Sequence, residues 1–214
     1  MSNKTVLVTM PDYEPTTRYL AAWAKSLIQY AERRSVNVLK LDKKRANRKE
    51  FESIVTKMSP DLIFMNGHGA EHCVTGQDEE VLLDMDNSKI LKGTIAYAVS
   101  CKSAAQLGPE TIKKGAKSFI GYTQDFIFFS EGGTTSKPRT DKTAALFLDP
   151  SNQVVVSLLK GKSASESVKK GKQEFTRNIL KASSSEAQLG YGAYLRFLWW
   201  DRQYLTHLGK DVCI

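Results

Sequence analysis

Residues 61–70 read DLIFMNGHGA, and residues 94–103 read TIAYAVSCKS. Each stretch is a short apolar run that ends in a side chain able to do chemistry, His68 in the first and Cys101 in the second. Continuous apolar runs of this length are typical of strands buried in a parallel sheet. The two stretches therefore predict neighbouring strands, and they raise the question whether His68 and Cys101 belong to one site.

Further strands and helices are predicted on both sides of these two runs. Strands are expected at Lys4–Met10, Val36–Leu41, Leu62–Met65, Ile95–Val99 and Ser118–Tyr122. Apolar residues at helical spacing predict helices at Thr16–Arg34, Asn47–Met58 and Ala104–Lys114. Strands that alternate with helices form right-handed βαβ units. The fold class is therefore α/β, a three-layer sandwich with a mostly parallel central sheet flanked by helices.

The remaining segments are predicted from composition and spacing. Residues 71–93 favour a small hairpin at the rim of the sheet, and Glu131–Asp141 (EGGTTSKPRTD) favours a mobile polar loop. The closing stretch, residues 195–209 (LRFLWWDRQYLTHLG), is compatible with one helix or with two strands that turn at Asp201, and its aromatic content favours strands. Three helices complete the prediction: Lys142–Leu148, Gln153–Leu159 and Ser163–Ala182.

Length and composition restrict the class of protein. A chain of 214 residues can form one substantial core, so a single domain over 1–214 is expected. With 41% hydrophobic and 25% charged residues, the composition is that of a globular chain rather than a disordered or fibrous one. No apolar run is long enough for a membrane helix and no signal segment opens the chain, so we expect a cytoplasmic protein with reduced cysteines.

The net charge of +8 raises the possibility of a nucleic-acid partner. Many of the lysines, however, lie in predicted helical segments such as Lys40–Lys49 and Lys160–Lys172, where solvated basic faces are common. The sequence contains no RNA-binding aromatic motif, zinc finger or helix-turn-helix signature. A basic surface is therefore favoured, and nucleic acid is not expected as a direct ligand.

His68 and Cys101 are the candidate catalytic residues. The carboxyl ends of parallel strands meet at one edge of a sheet, so both side chains are expected there. A thiolate is a nucleophile, and an imidazole can take the thiol proton and return it to a leaving amine. The N–H groups of Gly69 and Cys101 are candidates for an oxyanion hole. Taken alone, Cys101 is more commonly explained as a buried apolar residue and His68 as a hydrogen-bonded loop residue. Their occurrence as a pair after successive strands favours a shared catalytic site.

The motifs NGHG and AVSCKS resemble the caspase-like (clan CD) cysteine peptidase superfamily, in a pattern closest to the CHAT-domain proteases. GAKSFIG at 115–121 is similar to the segment after the catalytic helix of that group, and LLKGKSASESVKKGKQ at 158–173 to its downstream helix pair. The resemblance implies a caspase-like fold, a His68 general acid/base, a Cys101 nucleophile and a Gly69 oxyanion donor, without a cofactor. Because Val99 and Ser100 precede Cys101, in place of the caspase QACRG or metacaspase DSC context, specificity for Asp is not implied.

Asp125 is the candidate substrate-binding residue, because relatives place a pocket residue after the corresponding strand. A carboxylate there would favour Lys or Arg before the cut, although a helix cap or a solvated carboxylate is an equal alternative. Glu71, Asp84 and Asp86 are weaker acidic candidates.

No metal is expected from His72 and Cys73, since three histidines and three cysteines spread over the chain do not supply a tetrahedral set. Trp199 and Trp200 are expected in the core, with a ring that forms a wall of the substrate groove as the alternative.

The leading hypothesis is a cysteine endopeptidase that cuts a protein substrate through an acyl-thioester at a low-pKa Cys101 thiolate. Similarity to small bacterial defence effectors implies activation by a protein partner or by processing, for which Glu131–Asp141 is the candidate segment. The alternatives are a catalytically silent scaffold with the same fold and, less favoured, a nucleic-acid-binding α/β domain. The sequence leaves the oligomeric state open.

Overall fold

The computed structural model describes residues 4–185, 187–188 and 190–214. Within these residues the strands are β1 Thr5–Met10, β2 Asn37–Asp42, β3 Leu62–Asn66, β4 Gly69–Ala70, β5 Cys73–Thr75, β6 Val81–Asp84, β7 Ile95–Val99, β8 Ser118–Tyr122 and β9 Leu205–Gly209. The α-helices are α1 Pro15–Glu32, α2 Arg48–Met58, α3 Leu107–Lys113, α4 Lys142–Leu159, α5 Ala164–Ala182 and α6 Leu195–Tyr204.

Six of the strands form the central sheet, in the order β2-β1-β3-β7-β8-β9. The first five run parallel to one another, and β9 pairs antiparallel with β8 at the edge. Every residue of β3, β7 and β8 is buried, as the continuous apolar runs predicted. Strands covered by helices on both faces need apolar side chains at every position, which explains the runs.

The alternation of side chains along the strands divides the core into two layers. Phe64 and Tyr97 pack on one face beneath α1, α4 and α5, whereas Ile63, Met65 and Ala96 pack on the other face beneath α2 and α3. The three-layer α/β sandwich predicted from the sequence is therefore confirmed. None of the helices in the described ranges is long and apolar enough to cross a bilayer.

A small antiparallel sheet, β4-β5-β6, follows directly after β3 and contains the hairpin predicted for residues 71–93. Its attachment depends on Gly67, where a Cβ atom would lie 2.1 Å from the carbonyl oxygen of Thr75. Only glycine allows the main chain to pass this close. The hairpin thus fixes the main chain on both sides of His68.

Two predictions of secondary structure are wrong in the second half of the chain. Residues 195–209 are not two strands that turn at Asp201: they are the helix α6 followed by β9, and Asp201 lies inside the helix. The aromatic content suggested strands, but Leu198 and Asp201, three residues apart, form the buried face of a helix. Tertiary packing outweighs the strand propensity of the aromatic residues.

The two helices predicted at Lys142–Leu148 and Gln153–Leu159 are one continuous helix, α4, which passes through Pro150. Proline has no N–H group to donate to the carbonyl four residues earlier, which normally breaks a helix. Here Asn178 Nδ2 donates a hydrogen bond of 2.7 Å to that carbonyl, the oxygen of Leu146. A side chain of α5 therefore replaces the missing bond.

Candidate active site

His68 and Cys101 lie at the same edge of the central sheet. Asn66, the last residue of β3, pairs with Val99, the last residue of β7, and each candidate residue follows its strand by two positions. Both side chains line one cleft of about 310 Å³. The other residues of this cleft are Pro15, Thr16, Tyr19, Phe126, Ile127, Phe128 and Ser130. The structure thus brings the two sequence-predicted residues into one cavity.

His68 is held from the side of α1 by a residue that the sequence analysis did not select. Nε2 of His68 lies 3.4 Å from Oε1 of Glu14, which is the N-cap residue of α1. The Glu14 carboxylate also accepts hydrogen bonds from the N–H groups of Thr16, at 2.7 Å, and Thr17, at 2.6 Å. An imidazole anchored through Nε2 keeps Nδ1 for a thiol or a substrate.

The helix N-terminus keeps the Glu14 carboxylate ionised. Burial alone would raise its pKa, but the hydrogen bonds from the N–H groups of Thr17 and Thr16 outweigh burial and hold the pKa below its ordinary value. The sequence signal is EPTT at 14–17, an acidic cap followed by proline at the first helical position and threonine at the third. That signal identifies a cap, and only the fold shows that the cap faces the histidine.

The Cys101 thiol is partly buried, and its sulfur lies 3.8 Å from the carbonyl oxygen of Phe126. Burial raises the pKa of this thiol, and the nearby Asp125 carboxylate shifts the pKa in the same direction. The structure therefore differs from the low-pKa thiolate expected from the sequence, because desolvation and a neighbouring negative charge both favour the protonated form.

The helix predicted at Ala104–Lys114 is shorter in the structure. Residues 101–106, from Cys101 onward, form turns, and α3 starts only at Leu107. Lys102 adopts a left-handed conformation with φ 53°, and its N–H donates to the carbonyl oxygen of Gln124 at 3.1 Å. A non-glycine residue in this conformation is uncommon, and such strain often occurs at functional sites.

Gly69 packs directly against the loop that carries Cys101. A Cβ atom on Gly69 would lie 2.9 Å from the Cys101 carbonyl oxygen and 2.9 Å from Cβ of Ser100. The N–H of Thr75 donates to the His68 carbonyl oxygen at 2.9 Å, so the Gly69 N–H, one position further along β4, points away from the hairpin. The Cys101 N–H has no main-chain acceptor within the described ranges. Neither N–H group thus has a main-chain acceptor among the described residues, and the role of the two groups as oxyanion donors stays a prediction.

Asp125 is close to Cys101 but does not line the cleft. Its carboxylate is 51% exposed and lies 3.7 Å from Nζ of Lys102. It faces a separate side hollow, lined by Gly69, Ala70, Glu71, His72, Lys102 and Asp125. The weaker acidic candidates are also outside the cleft: Glu71 lines the side hollow and bonds to Gln106, and Asp84 is ion-paired with Arg48.

The residues considered as metal ligands or core residues have other surroundings. His72 is exposed while Cys73 is buried, and no three His, Cys, Asp or Glu residues in the described part of the chain cluster as a metal site would require. Trp199 is 49% exposed, contrary to the expectation of a core residue. Trp200 donates from Nε1 to the Asp125 carbonyl oxygen at 2.9 Å, so it fixes the segment beside the cleft.

Asp201 is a buried acid beneath the cleft that the sequence did not reveal. Its Oδ1 accepts the N–H of Ile127 at 3.0 Å, and its Oδ2 has no partner among the described residues. Burial raises the pKa of Asp201 well above its ordinary value, so the fold favours the neutral form of this carboxyl. Two residues of helix α6, Trp200 and Asp201, therefore hold the segment that lines the cleft.

No protein-family model and no curated protein matches the sequence. Among solved structures, that of the Arg-specific cysteine proteinase gingipain R matches 99% of this chain and 47% of its own, with TM-score 0.63 and 12% identity. A structure of a protease matches 99% of this chain and 48% of its own, with TM-score 0.59 and 16% identity. The third structure is that of a secreted C11 cysteine protease from Bacteroides thetaiotaomicron in complex with an irreversible peptide inhibitor. It matches 90% of this chain and 63% of its own, with TM-score 0.52 and 15% identity.

These similarities establish the fold. The chain has the caspase-like fold of the clan CD cysteine peptidases, as the NGHG and AVSCKS motifs implied. It spans about half the length of gingipain R. Fold similarity at this level of identity does not carry an activity with it, because function depends on the residues of the site.

Proposed function

We propose that this chain is a cysteine endopeptidase in which Cys101 is the nucleophile and His68 the general acid/base. One observation carries the proposal: His68 and Cys101, which follow paired ends of β3 and β7, both line one cleft. A thiol and an imidazole that share a cavity can perform acyl transfer. The fold similarity to cysteine peptidases supports the same class of reaction.

The reaction has two halves. His68 accepts the thiol proton as Sγ of Cys101 attacks the carbonyl carbon of the scissile peptide bond, and the N–H groups of Gly69 and Cys101 bind the oxyanion. The C–N bond then breaks, His68 protonates the leaving amine, and an acyl-thioester remains. Water, deprotonated by His68, attacks the thioester, and the carboxylic acid and the thiol are released. Glu14 orients the imidazole and stabilises its protonated form.

Residues 126–130 support binding of an extended peptide. All of its residues except Phe129 line the cleft, and no main-chain group in it pairs with another main-chain group within the described ranges. The Ile127 N–H is bonded to Asp201 and the Phe126 carbonyl to the Cys101 thiol. The other N–H and C=O groups of the segment can pair with an extended substrate, as in β-strand addition. A protein or peptide substrate fits this surface better than a small amide.

Activation by a protein partner or by processing is part of the proposal. Burial and the Asp125 carboxylate raise the pKa of the Cys101 thiol, so a change that moved Asp125 away would increase the thiolate fraction. Glu131–Asp141 connects the cleft-lining segment to α4, which makes it the candidate for such a change. A bacterial defence role and a cytoplasmic location stay predictions from the sequence.

The preference for Lys or Arg also stays a prediction. It depends on Asp125, which would have to leave Lys102 and turn towards the cleft. The sequence-based expectation that nucleic acid is not a direct ligand is likewise untested.

The test is peptide-bond cleavage by the purified protein, followed by mass spectrometry of a peptide library. We expect new amino termini with the wild type and none with Cys101→Ala or His68→Ala. Cys213→Ser is the matched control, since this exposed cysteine is remote from the cleft and should retain full cleavage. Cleavage that persists in Cys101→Ala would refute the proposal.

A silent scaffold is the second candidate, and the protonated thiol with its contact to Phe126 favours it. The two functions differ in one measurement. A scaffold would show no Cys101-dependent covalent labelling by peptidyl chloromethyl ketones, reagents that need an active nucleophile and an oxyanion hole. An endopeptidase would be labelled at Cys101 and nowhere else.

A further inference from the structure

The side chains that line the cleft beside Cys101 are mainly apolar. Phe126, Ile127 and Phe128 follow one another along one side, and the ring of Tyr19, which is only 1% exposed, closes the cavity from below. Pro15 adds a further apolar surface, so the polar side chains other than His68 and Cys101 are the hydroxyls of Thr16, Tyr19 and Ser130. Such a lining favours an apolar ligand group.

The rings that form this lining are fixed by their neighbours. The Tyr19 ring centroid lies 5.8 Å from that of Phe128, and the Phe126 centroid lies 4.7 Å from that of Tyr122. The hydroxyl of Tyr19 donates to Oδ2 of Asp141 at 2.7 Å. The ring separations are those of packed aromatic pairs, so the cavity wall is preformed.

Two carboxylates near the cleft are already bonded to other groups. Asp141, behind Tyr19, accepts hydrogen bonds from the N–H groups of Ala144 and Glu131 and from the hydroxyls of Tyr19 and Thr134. Glu14 accepts hydrogen bonds from the first turn of α1 and lies beside His68. Neither residue is among those that line the cleft.

Two further acids near Cys101 do not line the cleft either. Asp201 is completely buried behind Ile127, to whose N–H it is bonded, and burial raises its pKa well above the ordinary value. Asp125 faces the side hollow together with Lys102. Among the described residues no carboxylate lines the cleft, so a Lys or Arg side chain there would meet aromatic rings and would lose hydration without gaining an ion pair.

We infer, resting on the proposed function, that the cleft binds an apolar side chain of the Leu, Met or Phe class at the residue before the scissile bond. Cys101 forms its bond to the acyl carbon, and the cleft, unlike the side hollow, contains the Cys101 side chain. The residue that carries the acyl carbon is thus the one nearest this cavity. Ile127 and Phe128 are its specificity-determining residues.

The experiment measures the rate at which four peptidyl chloromethyl ketones alkylate Cys101, detected by mass spectrometry of the intact protein. The reagents share one peptide and differ only in the terminal residue: Leu, Phe, Lys or Asp. We expect the Leu and Phe reagents to react at least about tenfold faster than those with Lys or Asp, because an apolar pocket discriminates by this order. Iodoacetamide, which has no such side chain, reports the reactivity of the thiol itself.

Ile127→Ala should reduce the Leu reagent's advantage several-fold and leave the iodoacetamide rate unchanged. Ile54→Ala is the matched control, since Ile54 is a partly buried isoleucine that packs on the opposite face of the sheet. Faster labelling by the Lys reagent, or equal rates for all four, would overturn the inference while the proposed function stands. If iodoacetamide labels Cys101 and no ketone does, the proposed function fails and the inference fails with it.

Discussion

The carboxylate of Glu14 joins the first turn of α1 to the imidazole of His68. Two main-chain N–H groups fix the carboxylate, and its Oε1 lies 3.4 Å from Nε2 of His68. A residue that both caps a helix and contacts a candidate general base can affect stability, catalysis or both. The two effects can be separated, because Thr17 takes part in the same cap through its hydroxyl without being in contact with the cleft.

Glu14→Gln should lower kcat about tenfold and leave KM unchanged, because the neutral amide no longer stabilises a positive imidazolium. Thr17→Ala should cost a similar amount of stability, about 1 kcal/mol for a lost cap interaction, and leave kcat unchanged. Steady-state kinetics and thermal unfolding of both variants provide the comparison. If the two variants lose the same fraction of kcat, Glu14 acts only as a cap.

At the level of secondary-structure elements, the two-residue strand β4 places the Gly69 N–H beside the Cys101 loop. Its contact with Ser100 and Cys101 is so close that a single methyl group would not fit. The fit explains why glycine follows the histidine: the main chain of β4 has to approach the nucleophile loop without a side chain between them.

Gly69→Ala should reduce kcat/KM by about 10²–10³, the usual effect of losing one oxyanion-hole donor. The added Cβ would displace β4 from the Cys101 loop, while the iodoacetamide rate of the thiol should change little. Gly192→Ala is the matched control, because a Cβ there meets nothing within 4 Å and the residue lies outside the cleft and outside Glu131–Asp141. Activity of Gly69→Ala within threefold of the wild type would exclude Gly69 as an oxyanion donor.

The elements differ in how far the sequence predicted them. The runs that became β3, β7 and β8 were predicted because strands buried on both faces need apolar residues throughout. Helix α6 was missed because its buried face is narrow, and the continuity of α4 was missed because Asn178 acts on Leu146 from another helix. The candidate site divides in the same way: its motif residues were found, whereas Glu14 and Asp201 approach the site only through tertiary structure.

In the molecule as a whole, two buried carboxyls affect stability in opposite directions. One oxygen of Asp201 has no hydrogen-bond partner in the described part of the chain, and burial raises the pKa of this carboxyl well above the ordinary 3.8. Burial would also raise the pKa of Asp141, but the hydrogen bonds from Ala144, Thr134, Tyr19 and Glu131 hold it below that value. Folding therefore favours the neutral form of Asp201 and the ionised form of Asp141.

The stability consequences follow from proton linkage. A raised pKa in the folded state means that the contribution of Asp201 is complete below its unfolded pKa and is lost as pH rises through its folded pKa. A lowered pKa means that the contribution of Asp141 is present above its unfolded pKa and is lost as pH falls through its folded pKa. The folded protein thus loses the contribution of Asp201 to stability as the pH rises above about 4, and it loses that of Asp141 as the pH falls below about 4.

Asp201→Asn should therefore gain stability relative to the wild type as pH rises from 4 to 8, by about 1.4 kcal/mol for each unit of pKa difference between the folded and unfolded states. Asp141→Asn should instead be less stable than the wild type at pH 7, and this loss should shrink as pH falls from 4 to 2. Urea unfolding of the three proteins across this range gives both differences. A stability difference for Asp201→Asn that is constant between pH 4 and 8 would show that Asp201 is ionised in the folded protein, and a charged acid beneath Ile127 would restore basic side chains as candidates for the cleft.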